Sequence, residues 1–371
     1  MEVAIRVKSN YLFNAFLIFF VVHATQLGVG VQGFQRIIFQ DAQQDAWISV
    51  LISGVATNLL VFFIVKTLEL YSSTDIYGIH HDLFGLLIGK LLNVSYIFYL
   101  LMSFFVVLRN YIEVIQAWIF PEIPLWFLSS SMLLLVIYGI SSGIRSIVGI
   151  AFFSVTLSLW LLIFIAYPLQ YANWKQMLPM FESDIKGLLK GAYNMTFTVL
   201  GYEILYTIYP FVKEKKKVQK FAQLGVVFTT FIYTSLMVVA TVYFSGEQLE
   251  RTIWATLSLF KVVRLPFIER FEYVAITYWM LIILPNLILY MWSACRGLER
   301  VFNIKSKNAI WGISILIIIC IQLFVTRNQV DALNGIFAKF AFFVVAGYPV
   351  ILYLFAMFKR KIFNKGASSC D

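Results

Sequence analysis

Apolar runs of helix-spanning length follow one another along nearly the whole chain, and they constrain this sequence more than any other feature. A helix that crosses a bilayer needs about 20 mostly apolar residues. Such runs fall near 11–39, 46–70, 91–119, 125–142 and 146–169, then near 187–211, 218–244, 271–295, 308–326 and 337–357. Only 13% of the 371 residues are charged and 61% are hydrophobic, whereas a soluble protein keeps roughly a quarter of its residues charged. The sequence predicts an all-α integral membrane protein of about ten transmembrane helices. It is expected to be a single transmembrane domain over 1–371, with one set of five spans over about 11–169 and a second over about 187–357. The longest polar connections, 170–186 and 245–270, are too short to be domains. The second is amphipathic enough to lie on the outer surface, and residues 82–90 are expected to form a short interfacial helix. The first span is long enough to contain an interruption.

The net charge of +10 is of a size that can signal nucleic acid, but its placement in short gaps between apolar runs argues for topology instead. With the N-terminus cytoplasmic, inside segments hold 18 Lys and Arg and outside segments hold 9. That asymmetry predicts both termini inside and an even number of spans. Arg6 and Lys8 followed by the apolar stretch 11–22 have the outline of a signal peptide. No small-residue cleavage site follows, so the segment is read as a retained first helix. Aromatic residues make up 18%, which suits a lipid-facing surface with Trp and Tyr at the interfaces. Cys295, Cys320 and Cys370 have no metal-ligand spacing and give no disulfide framework.

Two spans have a polar, glycine-bearing middle. The first reads His23-Ala24-Thr25-Gln26-Leu27-Gly28-Val29-Gly30-Val31-Gln32-Gly33, and the sixth reads Asn194-Met195-Thr196-Phe197-Thr198-Val199-Leu200-Gly201-Tyr202-Glu203. Each Gly costs a continuous helix about 1 kcal/mol relative to Ala. Non-helical backbone is tolerated at membrane depth only where it is buried in protein or lines a cavity. Paired breaks in the first span of each set of five match the way secondary transporters surround a ligand near the midplane; small residues that merely allow close helix packing are the alternative. Ionisable residues inside spans usually face the bundle interior. Arg109 and Glu113 lie one turn apart and are expected to pair along one face, as a structural latch or as the wall of a water or proton path. Glu203 stands beside the second break with no obvious local partner. Pro285-Asn286 and Tyr290 put a kink and two polar side chains on one face of span eight, which suits either a small polar ligand or a packed helix with a buried amide. His80-His81-Asp82 lacks a fourth ligand, so no metal site is expected there. No nucleotide-binding glycine loop, nucleophile elbow or zinc-protease helix occurs; an enzyme is not expected, nor is a cofactor.

The chain resembles the B subunit of endospore germination receptors, the GerAB type, within the amino acid–polyamine–organocation transporter superfamily. The residues that carry this are Gln26-Leu27-Gly28-Val29-Gly30, Gln44-Asp45-Ala46-Trp47-Ile48-Ser49, Gly89-Lys90-Leu91, Leu108-Arg109-Asn110-Tyr111-Ile112-Glu113, Gly201-Tyr202-Glu203, Phe267-Ile268-Glu269-Arg270-Phe271-Glu272 and Leu298-Glu299-Arg300-Val301-Phe302. Their order and spacing are specific together. The loop Phe120-Pro121-Glu122-Ile123-Pro124 departs from the family's usual Leu-Pro-x-Thr-Pro-like sequence. The resemblance implies a leucine-transporter-like fold, a five-plus-five inverted repeat with broken helices 1 and 6. It also implies the spore inner membrane, an A subunit and a lipoprotein C subunit as partners, and a small-molecule germinant, often an amino acid. Carried over by position, the ligand site comprises Gln26, Gly28 and Gly30, Met102 or Ser103, Leu200 and Gly201, and Asn286 with Tyr290; Arg109, Glu113 and Glu203 are the intramembrane polar residues. A ligand-triggered sensor, a proton-coupled transporter of amino acids or related solutes, and a scaffold with a vestigial pocket are the three functions the sequence leaves in play.

Overall fold

The computed structural model describes residue 3, residues 5–71 and residues 73–367, with side chains to residue 361; Cys370 lies outside the described residues. Helices occur at every predicted span. The first is broken into α1 (Leu17–Gln26) and α2 (Phe34–Ala42), joined by a 3-10 turn over Val29–Gln32. Then come α3 (Ala46–Tyr71), α4 (Ile76–Trp118), α5 (Leu125–Ser141), α6 (Ile144–Ser158) and the short α7 (Leu161–Ile165). The sixth predicted span comprises α8 (Ile185–Met195), a non-helical stretch, and α9 (Leu205–Ile208). The remainder is α10 (Val218–Tyr243), α11 (Gly246–Arg251), α12 (Ala255–Phe260), α13 (Phe271–Phe302), α14 (Ser306–Ile321), α15 (Arg327–Phe342) and α16 (Tyr348–Ala367). Among the described residues there is no β-strand, only the isolated bridges Phe13–Val212 and Leu265–Ile268.

Among the described residues, five stretches are long and apolar enough to cross a membrane unaided: Phe34–Tyr71, Ile76–Trp118, Lys215–Tyr243, Phe271–Phe302 and Arg327–Lys361. A sixth is Ile144–Ser158 with Leu161–Tyr171, bent by 42°. Leucines 86, 87, 91 and 134, with Phe231 and Ile319, are exposed on the outside of the bundle. Such a surface suits lipid, because helices satisfy their own backbone hydrogen bonds and need only apolar side chains around them. Inside, α13 packs against α4, α6 and α1, while α10 lies between α1 and α3. Gly225 makes that second contact possible: a Cβ there would sit 2.9 Å from the Phe19 carbonyl oxygen of α1.

Local chemistry sets the helix ends. Asp75 caps α4 by accepting from the Gly78 N–H at 3.2 Å, and Asp184 caps α8 through Gly187. Thr326 and Gln329 form a reciprocal capping box at α15. Pro285 does not end α13. It removes the N–H that would bond the Leu281 carbonyl, and Ser154 of α6 donates to that oxygen instead, at 2.6 Å. Ser154→Ala is therefore expected to cost about 1 kcal/mol, read as a lower unfolding temperature of the solubilised protein, with no such cost in a Pro285→Ala background.

Three expectations need correction. The short helix placed at 82–90 is instead residues 76–84: Asp75 starts it and Gly85, at φ 75° and ψ −167°, turns the chain into the long arm of α4. Residues 245–270 do not simply lie on the surface, since Leu249, Leu257, Leu259 and Phe260 are buried and Thr256 donates to the Val31 carbonyl at 2.6 Å. Arg109 does not bond Glu113. Its guanidinium donates to the Phe324 and Val325 carbonyls, at 2.6 and 3.1 Å, just beyond the end of α14, where the helix dipole favours a cation. Glu113 pairs with Arg327 at 2.5 Å.

Candidate functional site

The two breaks meet in the middle of the bundle. Thr198 lies so close to Gly30 that a Cβ on that glycine would come within 2.9 Å of the Thr198 Cα. Gly201, at φ +124°, faces Thr25 with no room for a side chain. Backbone groups released from helical bonding are taken up by side chains from the surrounding helices. Asn286 donates to the Thr25 carbonyl at 2.7 Å, Tyr233 to the Gln26 carbonyl at 3.0 Å, and Gln26 to the Val199 carbonyl at 3.1 Å. This is the arrangement that makes non-helical backbone affordable at membrane depth.

Glu203, buried at the second break, has partners that the local sequence does not reveal. Its carboxylate accepts from the Tyr99 hydroxyl at 2.6 Å, the Tyr290 hydroxyl at 3.2 Å and the Gly201 N–H at 2.8 Å. The Tyr96 hydroxyl donates to its carbonyl at 3.0 Å. One residue thus ties α4 and α13 to the second break.

Against the breaks lies a small cavity of about 30 Å³, room for one or two water molecules. Gly28, Gly30, Ser103, Leu200, Asn286 and Tyr290, all anticipated from the sequence, line it together. Three other anticipated residues do not. Gln26 turns toward Val199, Met102 is half-buried against the core outside the lining, and Gly201 packs behind the lining on Thr25. Thr25, Val29, Val106, Val107, Phe197, Thr198 and Phe337 also line the cavity and were not anticipated. Val106 follows from Ser103 by one helical turn, so its signal was present; Phe337, from α15, had none. The Asn286 Oδ1 is buried and has no hydrogen-bond partner, an acceptor without a donor beside the cavity.

A larger cavity of about 320 Å³ adjoins the small one. Val29, Gly30, Phe197 and Thr198 line both and stand between them, and Arg36, Asn110, Arg327, Asp331 and Asn334 add a polar wall. The opposite end of the bundle is tied down. Arg296 and Arg300 pair with the buried Asp75 at 3.2 and 3.4 Å, Thr74 bonds the Val3 carbonyl, and Phe13 pairs with Phe211 and Lys213. The Ala15 N–H donates to Glu214 at 2.8 Å and holds that carboxyl below its ordinary range. His80 bonds Asn93 and Tyr348, while Asp82 bonds Tyr71 and Lys359. Among the described residues no group of three His, Cys, Asp or Glu side chains could hold a metal ion.

A helical membrane bundle in which two broken helices meet at a central cavity has a leucine-transporter-like fold. MhsT, solved in complex with L-phenylalanine, superposes with a TM-score of 0.65 over 93% of this chain and 88% of its own, at 13% identity. The family described as "Spore germination protein" matches residues 13–330, and the chain belongs to it. Spore germination protein GerQB of Bacillus cereus is 33% identical over 357 residues, covering 96% of this chain and 99% of that one. Spore germination protein B2 of Bacillus subtilis is 22% identical over 364 residues, with 96% and 98% covered. The chain is thus a multi-pass membrane protein of the germination family on a leucine-transporter-like fold.

Proposed function

We propose that this chain is the solute-binding membrane subunit of a nutrient germinant receptor, and that its ligand is a small molecule of amino-acid type held in the central cavity. The meeting of both helix breaks at a cavity beside an unpartnered Asn286 Oδ1 carries this reading. A ligand ammonium donates to that oxygen, and the carboxylate lies against backbone N–H groups of the first break, where the dipole of the following half-helix favours an anion. Leu200, Val106 and Phe337 bound the ligand's side chain. The chain crosses the spore inner membrane ten times as a five-plus-five inverted repeat forming one domain, with both termini cytoplasmic. An A subunit and a lipoprotein C subunit read its conformation.

The cavity's size supports a sensor. A space of about 30 Å³ holds one or two waters, so a ligand of amino-acid size enters only if Phe197 and Val29 move toward the larger cavity. Ligand binding and conformational change are then one event, and the ligand favours whichever state has the enlarged site. A second reading, a proton-coupled secondary transporter, draws on the buried Glu203 carboxylate at the break.

Spores lacking the chain, tested against amino acids, sugars and salts, are expected to lose the response to one defined nutrient, and the intact gene to restore it. Asn286→Leu should require at least tenfold more of that nutrient, since a lost charge-assisted hydrogen bond is worth about 1.5–3 kcal/mol. Net uptake of the labelled nutrient into proteoliposomes would establish the transporter reading; saturable binding without flux, the sensor. An unchanged germination profile would remove the receptor assignment.

A further inference from the structure

The first break separates two cavities. On the face turned away from the central one, Leu27 and Val31 border a second space of about 60 Å³. It sits at the bend between α6 and α7, where Ser158, Leu159, Leu161 and Leu162 line it, and it is closed by Ile232 and Leu236 of α10 and Trp279 of α13. Most of its polar lining is already engaged: His23 with Thr229 at 2.8 Å, Ser158 with the Ser154 carbonyl at 2.8 Å, and Thr256 with the Val31 carbonyl at 2.6 Å. Among the described residues, two buried polar atoms on its lining side chains have no partner. They are the Gln32 Oε1 and the Trp279 Nε1, on side chains only 4% and 2% exposed. Stranded polar groups in an apolar enclosure are costly, and here one is an acceptor and the other a donor.

We propose that this cavity is a second ligand site, for a small neutral apolar molecule carrying one hydroxyl group. A hydroxyl both donates and accepts, so it suits the Gln32 oxygen and the Trp279 N–H alike once these two side chains turn toward the space. A protonated amine has nothing to accept from Trp279, a carboxylate has nothing to donate to Gln32, and among the described residues no Lys, Arg, Asp or Glu lines the cavity to offset either charge. A hydrocarbon leaves both atoms stranded. The volume suits a short alkyl chain. Because Leu27 and Val31 border this site while Gly28, Val29 and Gly30 border the central one, an occupant here fixes the same stretch of backbone that the central cavity needs to move. The site is thereby placed to bias the conformational equilibrium without touching the central ligand.

The test uses the full chain in lipid nanodiscs, photolabelled with a diazirine-bearing five-carbon alcohol and mapped by mass spectrometry. Adducts are expected on Leu161, Leu162, Ile232, Leu236 or Trp279. 1-Pentanol should compete for them at least several-fold better than pentane, pentylamine or pentanoate at equal free concentration. Gln32→Leu and Trp279→Phe should each weaken competition by 1-pentanol about three- to tenfold, the worth of one hydrogen bond. Leu236→Trp, or Ile232→Phe should the first variant fail to fold by thermal melt, should abolish the adducts by filling the space. Adducts confined to lipid-facing residues such as Phe231 and Ile163, or competition by pentane equal to that by the alcohol, would overturn the proposal. Neither result depends on whether the central cavity binds a germinant.

Discussion

Replacing Glu203 with alanine is expected to be among the most damaging single changes in this chain, while replacing it with glutamine should be tolerated. The carboxylate is the shared acceptor for the Tyr99 and Tyr290 hydroxyls and the Gly201 N–H, and the groups around it are buried. Alanine strands three donors at once, each at a cost of roughly 1–3 kcal/mol, and leaves a void where the carboxyl stood. The Gly201 N–H suffers most, because a backbone donor at φ +124° cannot rotate to another partner. Glutamine keeps one oxygen for that N–H and turns its amide nitrogen to the two tyrosines, whose hydroxyls accept as readily as they donate. The measurement is the amount of folded protein extracted from membranes and its melting temperature in detergent. Glu203→Ala should show little folded protein, and Glu203→Gln should melt within a few degrees of the parent. The same pair separates structure from coupling. If Glu203→Gln folds normally and keeps its nutrient response, proton exchange at this carboxyl is not part of the signal; if it folds and loses the response, the transporter-like reading gains ground. Equal stability of the alanine variant would show that Glu203 does not hold the break in place.

How far the sequence reaches is visible in these residues. Apolar run length located the helices, because a bilayer imposes a length that can be read directly. Glycine and polar residues inside two such runs located both breaks, because helical propensity is local. What escaped depends on the other side of a contact. Glu203 looked solitary because Tyr99 and Tyr290 are distant in sequence. Arg109 and Glu113 looked like a pair because i,i+4 geometry is the only geometry a sequence displays; α14 and α15 bring better partners to each, the carbonyls of Phe324 and Val325 for one and Arg327 for the other. Residues 245–270 read as an interfacial segment because their amphipathic pattern says that one face is buried but not in what. The bend between α6 and α7 comes at Leu159 and Trp160, without a proline or glycine to announce it. Met102 and Ser103 were inseparable on sequence because helix rotation is set by packing, and the structure turns Ser103 inward.

Gly30→Val is expected to abolish the nutrient response while the protein accumulates to normal levels. Gly30 lies where the two breaks meet, lining both the central and the larger cavity, and a Cβ there would stand 2.9 Å from the Thr198 Cα, Cγ2 and Oγ1 at once. Side-chain rotation relieves two of those contacts but not the one to the backbone, so valine must push the breaks apart or deform one of them. Overpacking of this kind costs about 1–3 kcal/mol, which a bundle with large apolar interfaces survives. The cavity does not survive it, since a space of about 30 Å³ is smaller than the added side chain needs. Binding and the movement of Phe197 past Val29 should fail together, whereas Gly149→Val, at a position with open space around its Cβ, should change neither. Thr198→Ala in the Gly30→Val background should restore the response only in part, because the Thr198 Cα remains in the way. Germination of spores carrying each variant, read beside immunoblots of their inner membranes, decides the matter. Loss of response at normal protein level places the signal at the meeting point of the breaks. A normal response from Gly30→Val would mean that the central cavity takes no part in germination, and the chain would then act as a structural member of its complex.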